Sequence, residues 1–218
     1  MSTTTQSPTD RNCRRRTGPT EESYLTRPEL PASRRAVSAD LSGRLQGASE
    51  VRAYYDATEG HVVAVVEAMG TPHQDLATFA TASLHAVDNW VDDRDIRIEL
   101  LMVGAKELSS LGNLVATAAF YVVKDRWLAA PGVVFPDLVA EYYPTGNVRH
   151  LMWAEPFDFE GLSTFSVDDL DYPIHALQGV PITDREYDLL LRDGYFALET
   201  ALEAAGVEHF DFSRESAV

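Results

Sequence analysis

Two short stretches of the sequence concentrate carboxylates beside aromatic rings. Asp88, Trp90, Asp92, Asp93 and Asp95 fall within residues 88–95, and Glu155, Phe157, Asp158 and Glu160 within residues 155–160. Such residue types at such spacing support three chemistries. Asp92, Asp93 and Asp95, with His85 upstream, offer the oxygen ligands that a hard cation such as Mg or Ca takes. A pair drawn from Glu155, Asp158 and Glu160 can work as general acid and base. Aromatic rings set among charges, here Trp90, Phe157 and Trp153, are also what the energetic centres of protein interfaces use, although such rings more often belong to the core. The first two chemistries need a geometry that spacing does not supply, and a solvated acidic loop satisfies the same pattern. Asp168, Asp169 and Asp171 read the same way. His73 and Asp75, after Pro72, form a possible acid/base pair, but a histidine beside an aspartate in a loop is commonly a satisfied structural pair.

Familiar catalytic signatures are missing. No two of the thirteen glycines are two positions apart, which excludes a GxGxxG turn, and no Gly-Lys-Ser/Thr closes a phosphate loop. HExxH, GxSxG and EF-hand spacings are absent as well. The lone cysteine, Cys13, can form no internal disulfide and belongs to no Cys/His metal spacing, which suits a reducing compartment. The longest apolar stretch, residues 114–123, is about half a membrane span, and the first thirty residues contain no apolar segment of the secretory kind. The expected location is the cytoplasm.

Charge gives a sharper constraint. Of the 218 residues, 34 are acidic and 18 are Lys or Arg, for a formal charge of −16. Residues 1–35 carry seven arginines against four acids, leaving eleven bases against thirty acids over residues 36–218, a net −19. A body so anionic repels nucleic acid and anionic lipid and draws basic partners by faster, salt-sensitive encounter. Arg14, Arg15 and Arg16 are the one basic run.

The elements that must position these residues can be read from patterning. Residues 1–35, rich in Ser, Thr, Pro and Arg, predict a disordered N-terminal tail, and residues 36–218 a single domain. A short helix is expected through Leu45. Residues 52–56 and 61–69 predict a hairpin around Ala57-Thr58-Glu59-Gly60, with Gly60 suited to a positive-φ turn position. Residues 76–84 and 96–103 predict strands, the second central because it is almost continuously apolar. Residues 113–123 have helical spacing, residues 137–142 are ambiguous, and residues 148–154 and 172–182 again predict strands. Thr183-Asp184-Arg185-Glu186 is a capping box opening a helix, with Gly194 and Gly206 as two stops. The fold class is α+β, a mostly antiparallel mixed sheet with helices packed to one side.

Thr78-Phe79-Ala80-Thr81-Ala82-Ser83-Leu84, Ile98-Glu99-Leu100-Leu101-Met102-Val103-Gly104 and Asn113-Leu114-Val115-Ala116-Thr117-Ala118-Ala119-Phe120 resemble, in that order, segments of the suppressor of fused domain family. The strongest match is His175-Ala176-Leu177-Gln178-Gly179-Val180-Pro181-Ile182-Thr183, with Glu186-Tyr187 following, then Gly194, Ala197-Leu198 and Asp211-Phe212. The resemblance spans about residues 50–212 and rests on order and spacing. Ser83-Leu84 stands where the family often has Gly-Leu. The resemblance implies a non-enzymatic binding module. Similar domains in animals form half of a protein that sequesters transcription factors by gripping a peptide as an added β-strand, and similar stand-alone bacterial domains act as immunity proteins against polymorphic toxins.

The expectation is therefore an immunity-like inhibitor of a basic toxin domain, with no catalytic residues, metal or cofactor, and no nucleic-acid or membrane partner. Its contacts would be Trp90, Asp92, Asp93, Asp95, Glu155, Phe157, Asp158 and Glu160. The alternatives are a scaffold that binds an extended peptide by strand addition and a metal-dependent hydrolase using the acidic loops. The sequence does not specify an oligomeric state.

Overall fold

The computed structural model describes residues 31–58 and 60–218, together with the backbone of a two-residue strand, β1 (Arg14–Arg15). Helix α1 (Ala32–Leu45) leads into β2 (Ala48–Tyr55), β3 (Val62–Met69) and β4 (Leu76–Thr81). A small hairpin, β5 (Trp90–Val91) and β6 (Arg94–Asp95), precedes β7 (Ile98–Ala105) and α2 (Leu111–Asp125). Then come β8 (Val134–Phe135), α3 (Leu138–Tyr142), β9 (Val148–Ala154), β10 (Thr164–Phe165), β11 (Ile174–Thr183), α4 (Asp184–Asp193) and α5 (Tyr195–Ala205).

The main sheet runs β1-β2-β3-β4-β7-β11-β9-β8, with β10 alongside β11. All pairings are antiparallel except β7 with β11, where Ile98 to Leu101 lie opposite His175 to Gln178. β3, β4 and β7 are buried almost throughout, as their continuous apolar runs require of strands covered on both faces. Side chains alternate by face. Val63, Val65, Phe79, Leu100 and Met102 pack under α2 and α3, whereas Ala64, Val66, Ala68, Ala80 and Leu101 turn the other way.

The α+β class, the mixed and mostly antiparallel sheet and the single domain are as read from the sequence. The helices, however, divide between the two faces instead of lying to one side. α1 sets Val37, Leu41 and Leu45 against Ala64, Val66 and Ala68, where small alanines leave room for a helix. At the far end, α5 sets Leu198 and Leu202 against Met152, Ala154, Val180 and Ile182. Continuous apolar strands leave both faces in need of cover, so one helical layer is not enough. α1 also begins at Ala32, reaching back across the boundary drawn at residue 35. The remaining tail expectation and the Glu59 position of the hairpin turn lie outside the described residues.

The capping box forms as expected. Glu186 N–H donates to Thr183 Oγ1 at 3.3 Å, and Thr183 N–H donates to Glu186 Oε2 at 2.8 Å. Gly194 ends α4 with φ 89° and Gly206 ends α5 with φ 59°, both in the region only glycine enters freely. No helix among the described residues is long and apolar enough to cross a membrane.

Candidate functional site

Sheet topology brings the two acidic stretches to one end of the molecule. Because β7 and β11 are parallel, their first residues, Ile98 and Ile174, lie at the same edge of the sheet. β9 runs antiparallel to β11 and pairs its last residue, Ala154, with Gln178, so it finishes at that same edge. The segment entering β7 and the segment leaving β9 therefore lie at the same end of the sheet, where Val91 and Ile96 of the first line one cleft with Glu155 of the second.

The first segment is rigidly held. Asp92 and Asp93 have φ values of 46° and 60°, so β5 and β6 are joined by a two-residue turn with both central residues left-handed. Aspartate tolerates that conformation better than most residues, which accounts for two acids at an exposed tip. Below the tip, Arg97 pairs with Asp88 at 3.2 Å and with Asp95, and its guanidinium lies 5.5 Å from the Tyr172 ring. Asn89 is buried and bonds the backbone of Ala129 through both ends of its amide. At the base, the buried Glu99 carboxylate accepts the Leu84 and His85 N–H groups, at 3.2 and 3.0 Å, and the His85 Nδ1–H at 2.8 Å. His85, a possible cation ligand in the sequence, is thus a structural partner of Glu99.

The second segment hangs from the sheet by Gln178, which is fully buried. Its Oε1 accepts the Phe157 N–H at 3.3 Å while its amide nitrogen donates to Asp158. His209 Nε2–H donates to the same Asp158 oxygen at 2.8 Å, and Phe157 stands edge-on to the His209 ring at 4.7 Å. Asp158 is therefore an internal tie, whereas Glu155 and Glu160 point outward with no ion pair among the described residues. No paired carboxylates poised for acid/base work result.

Of the three aromatic residues singled out, Trp153 is completely buried, its ring 5.5 Å from Phe135. Trp90 and Phe157 stay 61% and 56% exposed. Elsewhere, Asp75 pairs with Lys106 Nζ at 3.0 Å rather than with His73, and Asp168, Asp169 and Asp171 are exposed. Among the described residues, no three His, Cys, Asp or Glu side chains are placed to hold a metal.

Sequence reasoning missed several residues of this face. Trp127 and Leu128 follow the left-handed Arg126 that ends α2, and both are partly exposed. The Trp127 ring stacks on Tyr121 at 4.6 Å and stands edge-on to Phe135 at 5.1 Å. Together with Asp88 and Trp90 they line a hollow of about 370 Å³. A bulky apolar pair just past a helix stop was the available signal. Tyr195 approaches from α5. Burial raises its pKa above the ordinary tyrosine value, and the hydrogen bond to Glu199 and the charges of Glu199 and Glu155 push the same way. Phe196, beside it, is 78% exposed. Between the two segments lies a cleft of about 260 Å³, reached by Val91 from one side and Glu155 from the other.

This architecture has known relatives. The chain is 24% identical over 189 residues, 84% of its length and 96% of the relative's, to the immunity protein YqcF of Bacillus subtilis strain 168. Its fold is similar to that of a suppressor of fused homologue from Neisseria gonorrhoeae, with a TM-score of 0.61 at 15% identity over 85% of this chain and 97% of that one. It is also similar to a chain of the Sufu–Fu complex, at TM-score 0.59 and 12% identity over 85% and 92% of the two chains. Drosophila Suppressor of Fused matches at TM-score 0.60 and 13% identity, over 86% of this chain and 51% of that one. Residues 57–215 match the suppressor of fused protein (SUFU) family, and with most of its length covered the chain belongs to that family.

Proposed function

We propose that this chain is a non-enzymatic binding module that neutralises a basic toxin domain in the cytoplasm, gripping it with the face built from residues 88–95 and 155–160. The observation that carries the reading is the convergence of two acidic, aromatic segments at one sheet end. Each is tied down by buried side chains, and each leaves a large ring in solvent. The resemblance to an immunity protein and the net −19 of residues 36–218 support it. Exposed rings on a stiff frame supply affinity with little ordering cost, and surrounding carboxylates steer a cationic partner inward. Trp90, Asp92, Asp93, Asp95, Glu155, Phe157 and Glu160 are contacts in this reading, with Asp158 holding Phe157 in place.

The test co-expresses this chain with the toxin domain of the related immunity system and with any basic toxin domain found encoded beside this gene. Wild type restores growth and binds. Trp90→Ala with Phe157→Ala, or Asp92→Asn with Asp93→Gly, Glu155→Lys and Glu160→Lys, abolishes rescue at unchanged melting temperature. Rescue by both variants as good as wild type would reject this face, and failure of wild type to bind any such domain would reject the inhibitor reading.

One observation favours a second reading. The outer edge of β2 over residues 48–53 carries no strand partner among the described residues, since β1 covers Tyr54 and Tyr55 alone. An extended peptide could pair there through main-chain hydrogen bonds. Salt-insensitive binding that a proline in the peptide destroys would identify that mode.

A further inference from the structure

The cleft between the two segments has a chemistry of its own. Val91, Ile96, Pro131 and Leu177 give it apolar walls, and Glu155 stands at its rim. The Glu155 carboxylate is exposed and has no ion pair among the described residues, unlike Asp88, Asp95 and Asp158, which Arg97 and His209 occupy. Ser163, Thr164 and His175 add polar atoms beside it, with the Thr164 hydroxyl and His175 Nδ1 3.0 Å apart. The neighbouring hollow differs, because Arg126 forms part of its wall and its one acid, Asp88, already has a cationic partner.

We infer that the smaller cleft is a receptor for a lysine side chain of the partner protein, its four methylenes lying on Val91, Ile96, Pro131 and Leu177 and its ammonium meeting Glu155. This rests on the protein-binding reading and specifies an anchor for it. A long apolar stem with a compact cationic head matches apolar walls that end in one unpaired carboxylate. The net −19 of residues 36–218 favours the same sign of ligand. Pre-formed recesses that take one side chain are where interfaces concentrate their energy.

The probe is Nα-acetyl-lysine-N-methylamide (lysine amide), titrated into the ¹⁵N-labelled full chain and followed by amide chemical shifts. Nα-acetyl-norleucine-N-methylamide (norleucine amide), which has the same caps and stem without the charge, serves as control. The expected result is saturable, millimolar shifts at Val91, Ile98, Glu155 and Leu177. Norleucine amide, or lysine amide with the Glu155→Gln variant, should bind about three- to fivefold more weakly, the range of a solvent-accessible ion pair. Absence of saturable shifts, equal binding of norleucine amide, or undiminished binding by Glu155→Gln would overturn the assignment. Neutralisation of a toxin domain alongside a blank lysine titration would remove the cleft and leave the inhibitor reading. Lysine recognition without any neutralised toxin would do the reverse.

Discussion

Asn89 and Ala129, forty residues apart, exchange both of their polar groups: the Asn89 amide donates to the Ala129 carbonyl at 2.9 Å, and the Ala129 N–H donates to Asn89 Oδ1 at 3.1 Å. A side chain here imitates a strand partner and fastens the β5–β6 hairpin to the segment bearing Trp127 and Leu128. Both residues are buried, so nothing from solvent replaces the bonds when they are lost. Asn89→Ala should cost about 1–3 kcal/mol in denaturant unfolding. Amide exchange at Ala129 should accelerate while β3 and β7 stay protected. Asn89→Asp, which sets a buried carboxylate oxygen against the Ala129 carbonyl, should cost at least as much as Asn89→Ala.

Glu186 is fully buried and pairs with Arg214, whose Nη1 and Nη2 lie 2.6 and 2.8 Å from its two oxygens. Burial works to raise its pKa, but the Arg214 bonds and the Ala217 and Thr183 N–H groups outweigh burial and bring it below the ordinary 4.5. A carboxyl lowered by folding contributes stability that is complete above its unfolded value and lost as pH falls through the folded one. Wild-type stability should therefore decline as pH drops below about 4.5, and Glu186→Gln should flatten that decline. At neutral pH, Glu186→Gln should cost about 3–5 kcal/mol, because Arg214 is left buried and unpaired. Glu186→Leu with Arg214→Met should cost less than the sum of the single changes, measured by urea unfolding.

Gly47 joins α1 to β2 where a side chain has no room. A Cβ there would lie 2.6 Å from the Met69 carbonyl oxygen, a backbone atom held in the β2–β3 ladder. Gly47→Ala should destabilise by about 1–3 kcal/mol, read as a lower urea midpoint at unchanged slope. Gly43→Ala is the control, since no atom lies within 4 Å of its added Cβ, and it should be neutral or slightly stabilising.

The left-handed turn at Asp92 and Asp93 separates charge from fold. Asn-Gly is the preferred pair for such a turn, so Asp92→Asn with Asp93→Gly removes two charges and keeps the hairpin. Stability should hold or rise by up to about 1 kcal/mol. In stopped-flow mixing with a toxin domain that the chain neutralises, association should slow and become less salt-dependent while dissociation changes little, because charges at a rim act on encounter.

Local signals in the sequence fared best. The Thr183 capping box, the stops at Gly194 and Gly206 and the buried run of β7 depend on neighbours within a few residues, and all form. α1 was read too short because its buried face is only Val37, Ser38, Leu41 and Leu45, in a stretch otherwise dominated by Arg and Ser. The chain gave the composition of both acidic segments but not their meeting, which follows from a parallel β7–β11 pair flanked by an antiparallel β9. Asp92 and Glu160 look alike in the chain as solvent-facing acids and remain so. Asp158 looks the same and is an internal tie, a difference decided by Gln178 and His209 from distant strands and loops.

Gln178 reaches from inside the sheet to hold the second segment chiefly by the Phe157 main-chain N–H and the Asp158 carboxylate, making little use of the other side chains there. The scaffold thus places few demands on what residues 155, 156 and 160 are, whereas Phe159 packs against the core beneath α1. A lineage could rewrite those letters to follow a drifting adversary without disturbing strand register. An engineer could transplant the stretch between relatives and expect recognition to travel with it.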